Sequence, residues 1–314
     1  MKKLHKGVVI GVSLVIAGLL GANAQAAQEK IAFICSNMAN ESQAFSSKQF
    51  QKFAKDYNFD VTILDAKGDT QTESQLVTNS IAQKFKAVFL NPNDINAIVP
   101  SVMKAKQAGI TVGMYSSDLA PANQKFRDFF VGVNDTMAGE AAGDAFLKKF
   151  PNGATIVEVG GQAGHDAQIK RHDGFNKKIK GSKITVIDYK TPSQWSTAEA
   201  MAITEDLIVK HGKKIQGVFT HWDNGATGVS QALKAANMMD GMFIVGVDGN
   251  RAGFDQVRKG IQSVTIMQNF EVMTKKSLGL ARDVIEGKKV EPVNFIALDI
   301  VDQKNIDQFT APEW

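Results

Sequence analysis

The chain has 314 residues, 36 basic and 32 acidic, giving a formal net charge of +4, with 44% hydrophobic residues, seven prolines and one cysteine. This composition excludes a disulfide-stapled mini-domain and a disordered polyelectrolyte, since a core must supply the stability. No basic run interleaves with aromatics, so a nucleic-acid partner is not expected.

At the start, Lys2, Lys3 and Lys6 precede an apolar run from Val8 to Leu20, and small residues follow through Ala27. This pattern predicts a secretory signal over residues 1–26, with an apolar core too short to span a bilayer comfortably. Both Ala22-Asn23-Ala24 and Ala24-Gln25-Ala26 offer a small-x-small site, and cleavage is expected after Ala26. Removing three lysines leaves 33 basic residues against 32 acidic ones, so the mature chain is nearly neutral. No cysteine follows the apolar run at the cleavage point, and no later stretch is long and apolar enough to cross a membrane. A soluble, monomeric protein exported to the periplasm is the expectation.

Next come short β-branched and aromatic runs with helical patterns between them. Ile31 to Cys35, Val61 to Leu64, Ala87 to Leu90, Thr111 to Met114 and Phe129 to Val133 form one set of five strands. Ala154 to Val159, Ile184 to Ile187, Gly217 to Phe219, Met242 to Val247 and Ser263 to Met267 form a second. Gln43 to Tyr57 and Thr72 to Lys84 carry apolar residues at three- and four-residue spacing, as helices do. Cys35, inside an apolar run, reads as a small buried residue rather than a nucleophile. Such alternation predicts an α/β fold of two Rossmann-like lobes, each a parallel sheet with helices on both faces. The passage between lobes is placed near Gly132 to Asp135. A further helix, about Thr274 to Glu286, and the run Phe295 to Val301 imply that the chain crosses between lobes more than once. The lobes are expected to comprise residues 28–132 plus about 269–296, and 134–267 plus about 297–314.

Ligands of doubly wound sheets bind beyond the carboxyl ends of the strands. The polar residues there are Ser36 and Asn40; Asn91, Asn93 and Asp94; Tyr115, Ser116 and Ser117; Asn134 and Asp135; Arg171; Trp222, Asp223 and Asn224; Asp248; and Gln268. Neutral amides and hydroxyls outnumber charges, a mixture suited to a ligand with many hydroxyls. Trp195 and Trp222 lie among polar residues and could stack on the C–H face of a sugar. Each residue also has a structural reading. Asn91 could cap the helix beginning near Ile95, although Asp94 is the better cap; Asp248 could start a turn; Arg171 could form a surface ion pair; the tryptophans could be core.

These residues resemble the periplasmic sugar-binding proteins of ABC importers, the ribose-binding, type I periplasmic binding group. The resemblance covers the whole mature chain. It rests on Leu90-Asn91-Pro92, Arg171-His172-Asp173-Gly174-Phe175 opening a helix, Val245-Gly246-Val247-Asp248-Gly249 and Thr265-Ile266-Met267-Gln268, in that order. It implies lobes that close on a ligand by bending a hinge of three crossing strands. It further implies that Asn91, Arg171, Asp248 and Gln268 hydrogen-bond sugar hydroxyls, that Trp195 stacks, and that Ser36 and Asn40 are polar positions of the first loop. The sequence departs from the ribose binders in three places. Ser116-Ser117 stands where they carry an Asp-Arg pair, Ser42 and Gln43 replace paired phenylalanines with Phe45 nearby, and Trp222 replaces an Asn. A ligand differing from ribose in hydroxyl pattern or size is therefore expected.

An enzyme is not expected. There is no Gly-x-Ser-x-Gly elbow, and His165, His172, His211 and His221 lack a spacing that brings two to one metal. Gly160-Gly161-Gln162-Ala163-Gly164 is not a Gly-x-Gly-x-x-Gly loop, so no cofactor is implied. A regulator of this fold would carry a DNA-binding helix pair where the export signal lies. The expected partners are a sugar or polyol and an ABC permease with its ATPase; the alternative is presentation of a ligand to a chemoreceptor or sensor kinase.

Overall fold

The computed structural model describes Met1 and residues 27–314, and the secretory-signal reading of residues 2–26 lies outside the described residues. The strands are β1 (Glu29–Cys35), β2 (Phe59–Asp65), β3 (Ala87–Leu90), β4 (Thr111–Tyr115), β5 (Phe129–Val133), β6 (Ala154–Val159), β7 (Ile184–Lys190), β8 (Gly217–Thr220), β9 (Phe243–Asp248), β10 (Val264–Gln268), β11 (Val293–Ile296) and β12 (Leu298–Asp302). The helices are α1 (Glu41–Phe53), α2 (Thr70–Ala82), α3 (Val99–Gln107), α4 (Asp135–Lys149), α5 (Asp166–Ile179), α6 (Thr197–His211), α7 (Asp223–Ala235), α8 (Arg251–Arg258) and α9 (Phe270–Ile285).

Two six-stranded sheets result, with orders β11-β5-β4-β3-β1-β2 and β12-β10-β9-β8-β6-β7. In both, the first strand of the unit lies between the second and third, so the order reverses there and opens a crevice at the strand ends. Side chains alternate across β1: Ile31, Phe33 and Cys35 join one apolar cluster with Phe50 and Phe89, while Ala32 and Ile34 join another with Val88 and Leu90. The second sheet is covered likewise, Ile156 packing with Phe175 and Phe219 on one face, Val157 and Val159 with Val218 and Ile244 on the other. Cys35 is fully buried, and burial pushes its thiol up to about 12.

Many helices start where a short polar side chain accepts a backbone N–H of the first turn. Asn40, Asp69, Asn134, Ser196, Asn250 and Asn269 all do so. These caps fix where each helix leaves its strand.

The structure differs from the expected layout in three details. The run Phe295 to Val301 breaks at Ala297, so β11 pairs parallel with β5 in the first sheet while β12 pairs antiparallel with β10 in the second. The last long helix starts at Phe270, four residues before Thr274, because Asn269 caps it. Arg171 lies in the second turn of α5 rather than opening that helix, which starts at Asp166. The chain passes from one sheet unit to the other between Val133 and Asp135, between Gln268 and Phe270, and between Ile296 and Leu298. Its last residues return across the boundary: the Trp314 carbonyl accepts from Arg251 N at 2.6 Å, while its ring stacks on Phe45 and meets Phe270 edge-on. Among the described residues no helix is long and apolar enough to cross a membrane.

Candidate ligand-binding cleft

The carboxyl ends of both sheets face one another across a narrow cleft with a cavity of about 30 Å³. Ser36, Asn40, Ser42, Gln43, Asn91, Ser116 and Phe270 line it together with His165, Ala167, Arg171, Trp195, Trp222, Asp248 and Gln268.

Arg171 is placed by two glycines. A Cβ on Gly139 of α4 would overlap the Arg171 carbonyl oxygen, and one on Gly174 would overlap that of Thr136, so only glycine lets α4 and α5 approach this closely. The approach brings the Arg171 Nε–H to Asp135 Oδ1 at 2.8 Å, both side chains nearly sealed from water, while Nη1 donates to the His221 carbonyl. The guanidinium also stands 5.9 Å from the centre of the Trp195 ring. One face is committed to the protein, and the group is held rigid at the cleft wall.

Asp248 ends β9 with φ of 127°, a conformation side-chain-bearing residues rarely adopt, and Gly249 follows with φ of 67°. Asp223 supports this turn from below, accepting from Gly249 N at 2.8 Å, Asn250 N at 3.3 Å, Gln262 Nε2 at 2.7 Å and Thr265 Oγ1 at 2.7 Å. Despite these donors, burial pushes Asp223 up to about 6. Burial also raises Asp248 well above the usual carboxylate range; the Arg171 charge opposes the rise and Asp223 adds to it. Gln268 Nε2 donates to Asp248 Oδ1 at 2.9 Å. Three buried cleft atoms, Gln43 Oε1, Trp222 Nε1 and Gln268 Oε1, have no hydrogen-bond partner among the described residues. Each is an unmet demand that a polar ligand can satisfy.

The rims meet in several places. Asp166 Oδ2 accepts from Asp118 N at 3.1 Å, Gln162 Nε2 donates to Asn93 Oδ1 at 3.4 Å, and Asn37 Nδ2 donates to Gln194 Oε1 at 3.4 Å. The cleft is therefore closed over in this structure.

Of the site residues expected from sequence, Ser36, Asn40, Asn91, Ser116, Arg171, Trp195, Trp222, Asp248 and Gln268 lie along the cleft. Asn134 does not: its Oδ1 accepts from Met137 N at 3.2 Å, capping α4, so the capping role takes that side chain. Asn40 also caps its helix, through Ser42 N, yet still borders the cleft. Tyr115 faces inward, its hydroxyl bonded to Ser46 and Thr274 in the core. Asp223 is a buried clamp behind the wall. Sequence reasoning missed His165 and Phe270. Phe270, not Phe45, gives the cleft an aromatic surface from the first unit, and the signal for it was the cap Asn269 directly after β10.

Two doubly wound lobes around a polar cleft lined by hydroxyls, amides, one guanidinium and one carboxylate have the form of a binding site for a small polar solute. The periplasmic binding protein domain family matches residues 31–289. The ribose import binding protein RbsB of Haemophilus influenzae is 26% identical over 291 residues, covering 93% of this chain and 97% of that protein. An ABC transporter solute-binding protein from Agrobacterium vitis, solved with bound D-fucose, superposes with a TM-score of 0.82 at 26% identity, covering 89% of this chain and 97% of the other. One from Bacillus halodurans C-125 with bound myo-inositol superposes with a TM-score of 0.84 at 24% identity, covering 91% and 98%. The chain belongs to the periplasmic binding protein family, as a ribose-binding-protein-like member of its type I group, and is a binding protein rather than an enzyme.

Proposed function

We propose that the protein is exported to the periplasm, captures a monosaccharide or related polyol between its two lobes, and delivers it to the permease of an ABC importer. The observation that carries this reading is the composition of the cleft between the two sheets. The first lobe contributes hydroxyls and amides, the second contributes the Gln268 amide, one pinned guanidinium and one strained carboxylate, and Trp195 and Phe270 add aromatic surfaces. A sugar hydroxyl both donates and accepts, so it can meet Asp248 and Gln268 Oε1 as donor and Arg171 or Trp222 Nε1 as acceptor. The aromatic faces suit the apolar C–H side of the ring.

In this reading Ser36, Asn40, Asn91 and Ser116 hold the ligand from the first lobe, and Arg171, Trp195, Trp222, Asp248 and Gln268 from the second. The lobes comprise residues 28–132 plus about 269–296, and 134–267 plus about 297–314, and pivot about the three crossings. Ligand stabilises the closed form because only there do both sets of groups reach it. The ligands carried in the relatives' names, ribose, D-fucose and myo-inositol, support a compact polyhydroxylated guest. The relatives' import role supports transport rather than presentation to a chemoreceptor or sensor kinase, and the working unit is a monomer. A thermal-shift screen of pentoses, hexoses and cyclitols tests the proposal: a ligand at a hundred times its Kd should stabilise the fold by about 2.7 kcal/mol. Stabilisation by none of them would overturn it.

A further inference from the structure

His165 stands in the cleft wall facing the opposite lobe, and its chemistry is fixed on both ring nitrogens. Nδ1 accepts from Ala167 N at 3.3 Å as the cap of α5, so Nε2 carries the proton. Nε2 lies 3.4 Å from Asn91 Oδ1 on the opposite lobe. The Asn91 amide is oriented too, because its Nδ2 donates to the Tyr115 carbonyl at 3.1 Å, leaving Oδ1 as the acceptor turned toward the imidazole. The ring is held edge-on against Trp195, with centroids 5.2 Å apart. A fixed donor on one lobe thus faces a fixed acceptor on the other across a gap longer than the usual optimum of about 2.9–3.0 Å.

We infer that His165 is a specificity-determining residue: its Nε2–H and Asn91 Oδ1 together read a single hydroxyl of the bound sugar, one from each lobe. This rests on the sugar-binding reading given above. A hydroxyl placed beside the gap accepts from Nε2–H and gives its proton to Oδ1, using both of its capacities at once. A hydrogen or an O-methyl group at that carbon cannot do both, so the pair selects for a free hydroxyl. Burial, reinforced by the charges of Arg171 and Lys170, pulls the imidazole down to about 3 and keeps it neutral, so the tautomer does not change with pH in the physiological range.

The test uses two variants of the full mature chain. His165→Asn keeps a capping side chain for α5 but is too short to present the Nε2 donor, whereas His165→Gln places an amide N–H near the position of Nε2. Calorimetry with D-ribose, D-fucose and myo-inositol, followed by monodeoxy and mono-O-methyl forms of whichever binds, compares each variant with wild type. The expected result is that wild type loses about tenfold or more in affinity when one particular hydroxyl is removed, that His165→Asn binds the parent sugar about tenfold more weakly with that penalty abolished, and that His165→Gln recovers part of both. Unchanged affinity in His165→Asn, or a deoxy pattern identical to wild type in both variants, would overturn the inference alone. Failure of wild type to bind any pentose, hexose or cyclitol of the thermal-shift screen would overturn the sugar-binding reading and the inference with it. Melting curves of both variants separate loss of fold from loss of recognition.

Discussion

Asp135, the first residue of α4, accepts the Nε–H of Arg171 from α5 at 2.8 Å, and neither side chain has more than a few per cent of its surface in water. In the proposed function Arg171 carries two loads, one on the ligand and one on the fold. Removing it leaves a buried carboxylate without its counter-charge, which costs about 3–5 kcal/mol in comparable pairs. Arg171→Ala should lower the denaturation midpoint as well as weaken sugar binding, by about 1.5–3 kcal/mol or roughly ten- to a hundred-fold. Adding Asp135→Asn should restore part of the stability and none of the affinity. Denaturant titration and calorimetry on the single and double variants check this, and full recovery of binding in the double variant would contradict it.

Asp223 and Asp248 should separate cleanly. Asp223→Ala removes the acceptor of four buried donors, so we expect a stability loss of about 2–4 kcal/mol with the Asp248 turn disordered. Asp248→Asn removes a carboxylate that burial disfavours, so the melting temperature should hold or rise while sugar affinity falls by about tenfold or more. Differential scanning calorimetry with and without sugar distinguishes the two.

Glu73 is fully buried behind the cleft, where both carboxylate oxygens accept from Asn93 N at 3.3 Å. Burial pushes it up to about 8, against its ordinary 4.5, with Asp94 and Asp69 adding to the rise and the Asn93 bonds opposing it. The folded state thus holds its proton more tightly than the unfolded chain. The stability this contributes is complete below 4.5 and is lost as pH rises through about 8. Glu73→Gln should melt close to wild type at pH 4.5 and progressively above it toward pH 8.5, each ~1 kcal/mol appearing as about 2–4 °C. A constant difference across that range would rule out the titration.

The rim contact between Gln162 and Asn93 joins the lobes without lining the cleft. Gln162→Ala should weaken sugar binding by about 0.5–1.5 kcal/mol through the closing equilibrium alone. Small-angle scattering of the unliganded variant should show a larger radius of gyration than wild type, and saturating sugar should remove the difference.

Much of this architecture was legible in the order of strands and helices because parallel strands buried on both faces must be continuously apolar, as Ile31 to Cys35 and Ala154 to Val159 are. The strand-end rule also led to Asn91, Asp248 and Gln268, since the topology leaves little else at those ends. It failed where one side chain has two uses. Asn134 satisfies the same pattern as Asn40, and only the three-dimensional path decides that one stays at the cleft and the other serves only its helix. His165 lies six residues past β6 at the end of an irregular loop, where no periodicity points at it, and the Arg171–Asp135 pair depends on a helix approach set by Gly139 and Gly174.

All three tryptophans of the chain lie where the two halves touch: Trp195 and Trp222 within the cleft, their rings 5.4 Å apart, and Trp314 wedged between Phe45 and Phe270 while its carbonyl holds Arg251. Parting the halves would change the surroundings of every indole together. The protein consequently carries a built-in optical gauge of its own conformation, and its ultraviolet emission should follow capture and release in real time with no dye attached.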